Sequence, residues 1–310
     1  MGWIWETAWR AVEIWARALP YTILGILLAN LALELGLFHR LFPLIRPFLR
    51  RAGFSGECGV AFLVAFGSPP TAAAMLAGFF QEGKIGPRET LLAAVGTWFP
   101  QTVYESIVHL APAAIPFLGV VGLAYIGFFL ANGFLVSGLV FIAAAFLLSK
   151  NSAESSSSAE REKPSWREVM RRCLEQTFFV LKRMILIALP VSVAVLVFVN
   201  SGILKNLPGS FIGFALPPEA LTAIPVCLAN PVAAYAMLAD LLQRDILDFR
   251  LTLLTLLMAN FVTSLRYILT HRLPYHMGIF GAGMGLRVTA VGALLRLGWT
   301  VFFIAILFSF

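Results

Sequence analysis

Glu105 and His109 stand four residues apart in the apolar stretch 88–109, where a helix would set both on one face. In a second such stretch, 250–271, His271 matches His109 and Arg266 stands one position before the counterpart of Glu105. Ionisable groups deep in apolar surroundings are costly and face an interior or a water-filled cavity. A carboxylate and a guanidinium placed so can hold a polar solute, or each other, so Glu105 and Arg266 read as candidate site residues. His109 and His271, close to Pro112 and Pro274, read instead as wetted ends of their stretches. A second kind of candidate is a break in the chain. Gly67-Ser68-Pro69-Pro70-Thr71 interrupts the hydrophobic run 58–81, and Ala229-Asn230-Pro231 interrupts 219–242. Proline removes a backbone donor and crowds the turn before it, so an ordinary helix stops there. Ser68 and Thr71 offer hydroxyls, Asn230 an amide, and the freed N–H groups at each new helix start would favour an anionic group.

The elements carrying these residues are set by the solvent. Of 310 residues, 59% are hydrophobic and 13% charged, about half the charge of a soluble protein, and mean hydropathy is +0.86. Uncharged runs such as 120–148 and 297–310 reach or approach bilayer-spanning length. The fold class expected is an all-α polytopic membrane protein. The formal charge of +7 does not point to nucleic acid, because the Lys and Arg residues collect between apolar segments. Cys58, Cys173 and Cys227 are far apart, without a CxxC pair or a His at metal-ligand spacing, so neither a metal site nor a cofactor is implied.

The chain repeats itself. Residues 150–164 form a polar, Ser-rich linker between a first membrane repeat, 1–149, and a second, 165–310. Shifted by 162 positions, 69–112 keeps 14 of 44 residues, where skewed composition alone would give roughly 3 to 5. Each half reads as an amphipathic lead-in (3–17; 165–182), a first span (18–38; 184–200) and a broken segment (58–81; 219–242). A third span (88–109; 250–271), an interrupted fourth element (113–130; 274–288) and a fifth span (132–149; 290–310) follow. Five elements per half is an odd number, so the second half should be inverted. Arg40, Arg46, Arg50 and Arg51 in the loop 39–51, against Lys205 alone in 201–218, place those loops on opposite sides by the positive-inside rule. Breaks at matching positions of inverted halves mark a transporter's midplane site.

The stretch "GVAFLVAFGSPPTAAAMLAGFF", followed by a polar turn and "ETLLAAVGTWFPQTV", resembles the nucleoside-recognition, or Gate, domain. That domain occurs in the spore maturation proteins A and B, in the membrane part of B-type ferrous iron transporters, and distantly in concentrative nucleoside transporters. The resemblance covers about 58–150 and, more faintly, 219–310. It implies nucleoside handling, and by position a site at Gly67, Ser68, Pro69 and Thr71 with Asn230 and Pro231 as the second-half match. This chain shows no GTPase domain, which argues against the iron-transporter role.

The function expected is a multi-pass transporter or permease of the cell membrane for a small polar solute, nucleoside-like or anionic. Its site would comprise Gly67, Ser68, Pro69, Thr71, Asn230, Pro231, Glu105 and Arg266. The alternative is a non-transporting membrane factor in envelope or spore assembly. An enzyme is not expected, because no nucleophile–base pair or carboxylate metal cluster stands out. The partners implied are the solute and the lipid bilayer, without nucleic acid, and homo-oligomerisation stays open.

Overall fold

The computed structural model describes residues 51–148, 165–183 and 216–309, with 5–9, 12–13, 15–17, 19–20, 23–24, 27, 47–49 and 193. The expected first spans 18–38 and 184–200, the loops 39–51 and 201–218, and the linker 150–164 lie wholly or largely outside the described residues. All regular structure among those described is helical.

Helix α1 (Gly56–Val64) and helix α2 (Pro69–Gln81) carry the first break between them. Helices α3 (Pro87–Gly96), α4 (Trp98–Glu105), α5 (Ala111–Leu118) and α6 (Val120–Leu147) complete the first half. The second half comprises α7 (Trp166–Arg183), α8 (Pro218–Ala229), α9 (Pro231–Gln243), α10 (Phe249–Tyr267), α11 (Leu273–Phe280) and α12 (Ala282–Ser309). The duplication seen in the sequence is also a duplication of element bounds. Each bound of α2, α5 and α6 recurs 162 positions later in α9, α11 and α12. The turn after α2 holds Gly83 at φ 70°, and its counterpart after α9 holds Asp245 at φ 56°, a left-handed conformation that Asp tolerates better than most side chains.

Prolines write much of this pattern, since a proline in the first turn gives up no intrahelical bond. Pro69, Pro87, Pro218 and Pro231 each open a helix. Pro112 and Pro274 act differently. Before each, the helix widens into a π turn, Ser106–Leu110 and Ile268–Arg272, in which Ala111 and Leu273 donate to carbonyls five residues back. The wider turn seats the ring without stopping the helix. The separate fourth element expected at 113–130 and 274–288 is therefore corrected. The third span runs on to residues 118 and 280, and the chain turns at Gly119 (φ 53°) and Gly281 (φ 81°).

One break has no counterpart. Pro100 leaves the Gly96 carbonyl without its helical donor, and the chain kinks at Thr97 between α3 and α4. Ser137 on α6 repairs the gap: its hydroxyl donates to Gly96 O at 2.7 Å and accepts from Phe99 N at 2.8 Å. Val262 stands where a second such proline would be, and α10 is continuous.

The halves exchange their cores. Phe117, Val121 and Phe128 of the first half pack with Leu216, Met237, Leu254 and Leu257 of the second. Conversely Phe280, Met284 and Val288 pack with Phe62, Phe66, Leu76 and Trp98. Helices α6 and α12 cross between the two clusters. Asn132 meets Arg296 and Thr300 while Phe128 meets Phe303, so the two run antiparallel. Three helices among the described residues are long and apolar enough to cross a membrane: Val120–Leu147, the continuous Phe249–Phe280, and Ala282–Ser309. Pieces of 9 to 13 residues such as α1, α2, α8 and α9 reach about 14–20 Å, short of a bilayer's roughly 30 Å core.

Candidate functional site

The kink at Thr97 turns Trp98 toward the second half, and two arginines close on its ring. The guanidinium carbon of Arg272 lies 3.9 Å from the ring centroid and that of Arg296 5.0 Å. Arg272 comes from the π turn after α10, Arg296 from mid-length of the 28-residue α12. Arg272 reaches Glu105 at 3.7 Å, at the outer limit of an ion pair, and its Nε is buried without a hydrogen-bond partner among the described residues. Arg296 is 8% exposed and, among the described residues, has no hydrogen bond or ion pair from its guanidinium; the Phe129 ring lies 5.6 Å from it. Cation–π contact contributes about 0.5–2 kcal/mol, but it does not neutralise a charge. Two guanidiniums against one carboxylate leave the cluster one positive charge in excess, in surroundings where an uncompensated ion costs several kcal/mol.

A cavity opens beside this cluster, lined by Gln101, His276, Thr289 and both arginines among apolar neighbours. It offers ≈ 20 Å³ to the centre of a water-sized molecule, enough for a water and far below the roughly 300–1,000 Å³ of drug-sized pockets. Thr289 donates its hydroxyl proton to Gly285 O at 2.8 Å, so the 2.9 Å bond between Thr289 and His276 Nδ1 is donated by the ring. Gly285 is required there, because a Cβ would meet the His276 backbone at 2.5 Å. On the other side Asn132 donates to Arg296 O and to Thr300 Oγ1, both at 3.2 Å, and fixes α12 at the level of Arg296. Among the described residues no three His, Cys, Asp or Glu side chains group as metal ligands would.

Of the residues expected in the site, Glu105 alone touches this cluster. Arg266 is exposed and does not meet Glu105, whose partner is Arg272. The physical reason is helical phase: Arg266 lies on the outer side of α10, and the π turn brings Arg272 inward six residues later. At the first break Gly67 and Thr71 are exposed and Ser68 and Pro69 half-buried, with Ser68 Oγ bonded to Thr71 Oγ1 at 2.6 Å. At the second, Pro231 is exposed and Asn230 Oδ1 accepts from Val232 N and Ala233 N at 3.0 and 3.2 Å. The helix-start donors of α9 are thus satisfied by the chain itself, whereas at α2 the Ser68 side chain caps no backbone N–H. Neither break lines the cavity. The first comes nearest through Tyr275, next to His276, whose hydroxyl donates to Pro70 O at 3.2 Å. Sequence reasoning missed Trp98, Gln101, Arg272, His276, Thr289 and Arg296. An arginine in the middle of an apolar run was the available signal.

The nucleoside-recognition family pattern matches residues 15–128. The matched stretch resembles a Gate domain. The Gate region thus holds α1 to α5, Trp98, Glu105 and the first break, while Arg272, His276, Thr289 and Arg296 come from beyond it. Three proteins of Methanocaldococcus jannaschii, each described as uncharacterized, resemble the chain nearly end to end. They are 22%, 25% and 23% identical over 93%, 90% and 93% of this chain and 95%, 89% and 93% of their own lengths. No solved structure matches.

Proposed function

We propose that this Gate-domain protein is a multi-pass transporter or permease of the cell membrane, not an enzyme, and that a small polar solute passes the Trp98–Arg272–Arg296 cavity. The observation that carries the reading is Arg296, a charge with no hydrogen-bonding partner among the described residues, at mid-length of an apolar helix of membrane-spanning length. Such a group is costly unless a cavity or a solute serves it. The two halves form inverted repeats in this reading. Support comes from the antiparallel crossing of equivalent helices α6 and α12: a two-fold relating antiparallel spans lies in the membrane plane. Gly67, Ser68, Pro69, Thr71, Asn230 and Pro231 then belong to paired short helices flanking the path, and Arg266 to its outer surface.

The small size of the cavity favours a second reading, a non-transporting factor in envelope or spore assembly. Solute flux separates the two. Protein reconstituted in liposomes should exchange labelled solute in counterflow across a panel of nucleosides and small organic anions. Arg296→Gln should reduce that exchange at least tenfold while the protein stays monodisperse. Absence of exchange for the whole panel would overturn the transport reading.

A further inference from the structure

We infer that the Trp98–Arg272–Arg296 cavity is a binding site for a small carboxylate-type oxyanion carrying one negative charge. Four observations converge on it. The cluster carries two guanidiniums and one carboxylate, and so lacks one negative charge. Arg272 Nε is buried with no acceptor among the described residues, and Glu105 approaches that side chain at Nη2, 3.7 Å away. Arg296 is more than nine-tenths buried and lines the cavity, and its guanidinium has no hydrogen bond among the described residues. The other polar residues of the lining, Gln101, His276 and Thr289, include no carboxylate that could supply the missing charge. A planar oxyanion answers all four: its two oxygens match the fork of a guanidinium, and its single charge closes the deficit. The cavity's water-sized interior suits the smallest members of the class, such as formate and acetate, better than a nucleoside. Arg272 and Arg296 both hold stacking positions against Trp98, which keeps each guanidinium oriented before the ligand arrives.

This inference names the solute class for the transport proposed above and rests on that reading only where flux is concerned. Binding is tested first, by isothermal titration of the purified full chain in lipid nanodiscs with sodium formate and sodium acetate, against sodium chloride at constant ionic strength. Saturable binding of formate and acetate, with chloride unable to compete, is expected. Arg296→Gln should raise the apparent Kd at least tenfold, and Arg296→Lys, which keeps the charge but loses the fork, should raise it less. Arg287→Gln removes the same charge from an exposed position of the same helix and should leave the Kd unchanged. The inference is overturned if neither oxyanion binds saturably, if folded Arg296→Gln protein binds as tightly as the parent, or if Arg287→Gln weakens binding as much as Arg296→Gln does. Saturable binding without counterflow would overturn the transport reading and leave the site. Counterflow of an uncharged nucleoside without oxyanion binding would do the reverse.

Discussion

Ser68 and Asn230 occupy equivalent breaks and do different work. Asn230 Oδ1 closes the start of α9, whereas the Ser68 hydroxyl spends itself on Thr71 near the surface. Asn230→Ala should therefore cost about 0.5–2 kcal/mol, the range for a lost helix cap, and lower the melting temperature. Ser68→Ala should leave that temperature nearly unchanged; a thermal melt of both variants in detergent decides it, and equal losses would contradict the assignment. At this scale the sequence disclosed a site residue where a charge interrupted an apolar run, as with Glu105. The same reasoning applied to Arg296 would have found it. Arg272 was hidden for another reason: lying between His271 and Pro274, it looked like the polar end of a span, and only the π turn keeps it inside the helix. Choosing Arg266 as the partner of Glu105 relied on the repeat, yet positions related by a repeat need not touch.

Helix starts were readable because proline writes them into the chain, and the breaks at Pro69 and Pro231 fall where the sequence put them. The kink at Thr97 was not, since its cause is Pro100, three residues on, and its remedy is Ser137 on another helix. Nothing local to 96–100 announces a hydroxyl arriving from α6. Ser137→Ala should strand the Gly96 carbonyl and the Phe99 N–H, at about 1–3 kcal/mol for each buried group left without a partner. Pro100→Ala restores a donor for that carbonyl, so the double variant should lose clearly less stability than the two single losses added together. Denaturant or thermal unfolding of the four proteins gives this coupling directly, and simple additivity would show that the hydroxyl is not what holds the kink.

At the scale of the molecule, the proposed inversion of the halves would set equivalent turns on opposite faces of the bilayer. Lys84 and Ile246 are such a pair, both exposed and 162 positions apart. With Cys58, Cys173 and Cys227 replaced, Lys84→Cys and Ile246→Cys should react with an impermeant maleimide from opposite sides of sealed vesicles. Labelling from one side would end the inverted-repeat reading. The duplication itself was legible in 14 matches over 44 positions, but the way the copies embrace was not. A linear reading divides the chain at its linker into two domains, whereas each core is made from parts of both halves. That exchange sets a timetable for synthesis. The second-half side chains that pack in the cluster of Phe117 and Phe128 are polymerised about a hundred residues later, roughly 5–20 s behind at about 5–20 residues per second. Through that interval the newborn first half offers bare apolar surface to whatever lies beside it. A chain stopped at residue 149 should be cleared by proteases, and supplying residues 150–310 from a second message in the same cell should rescue it.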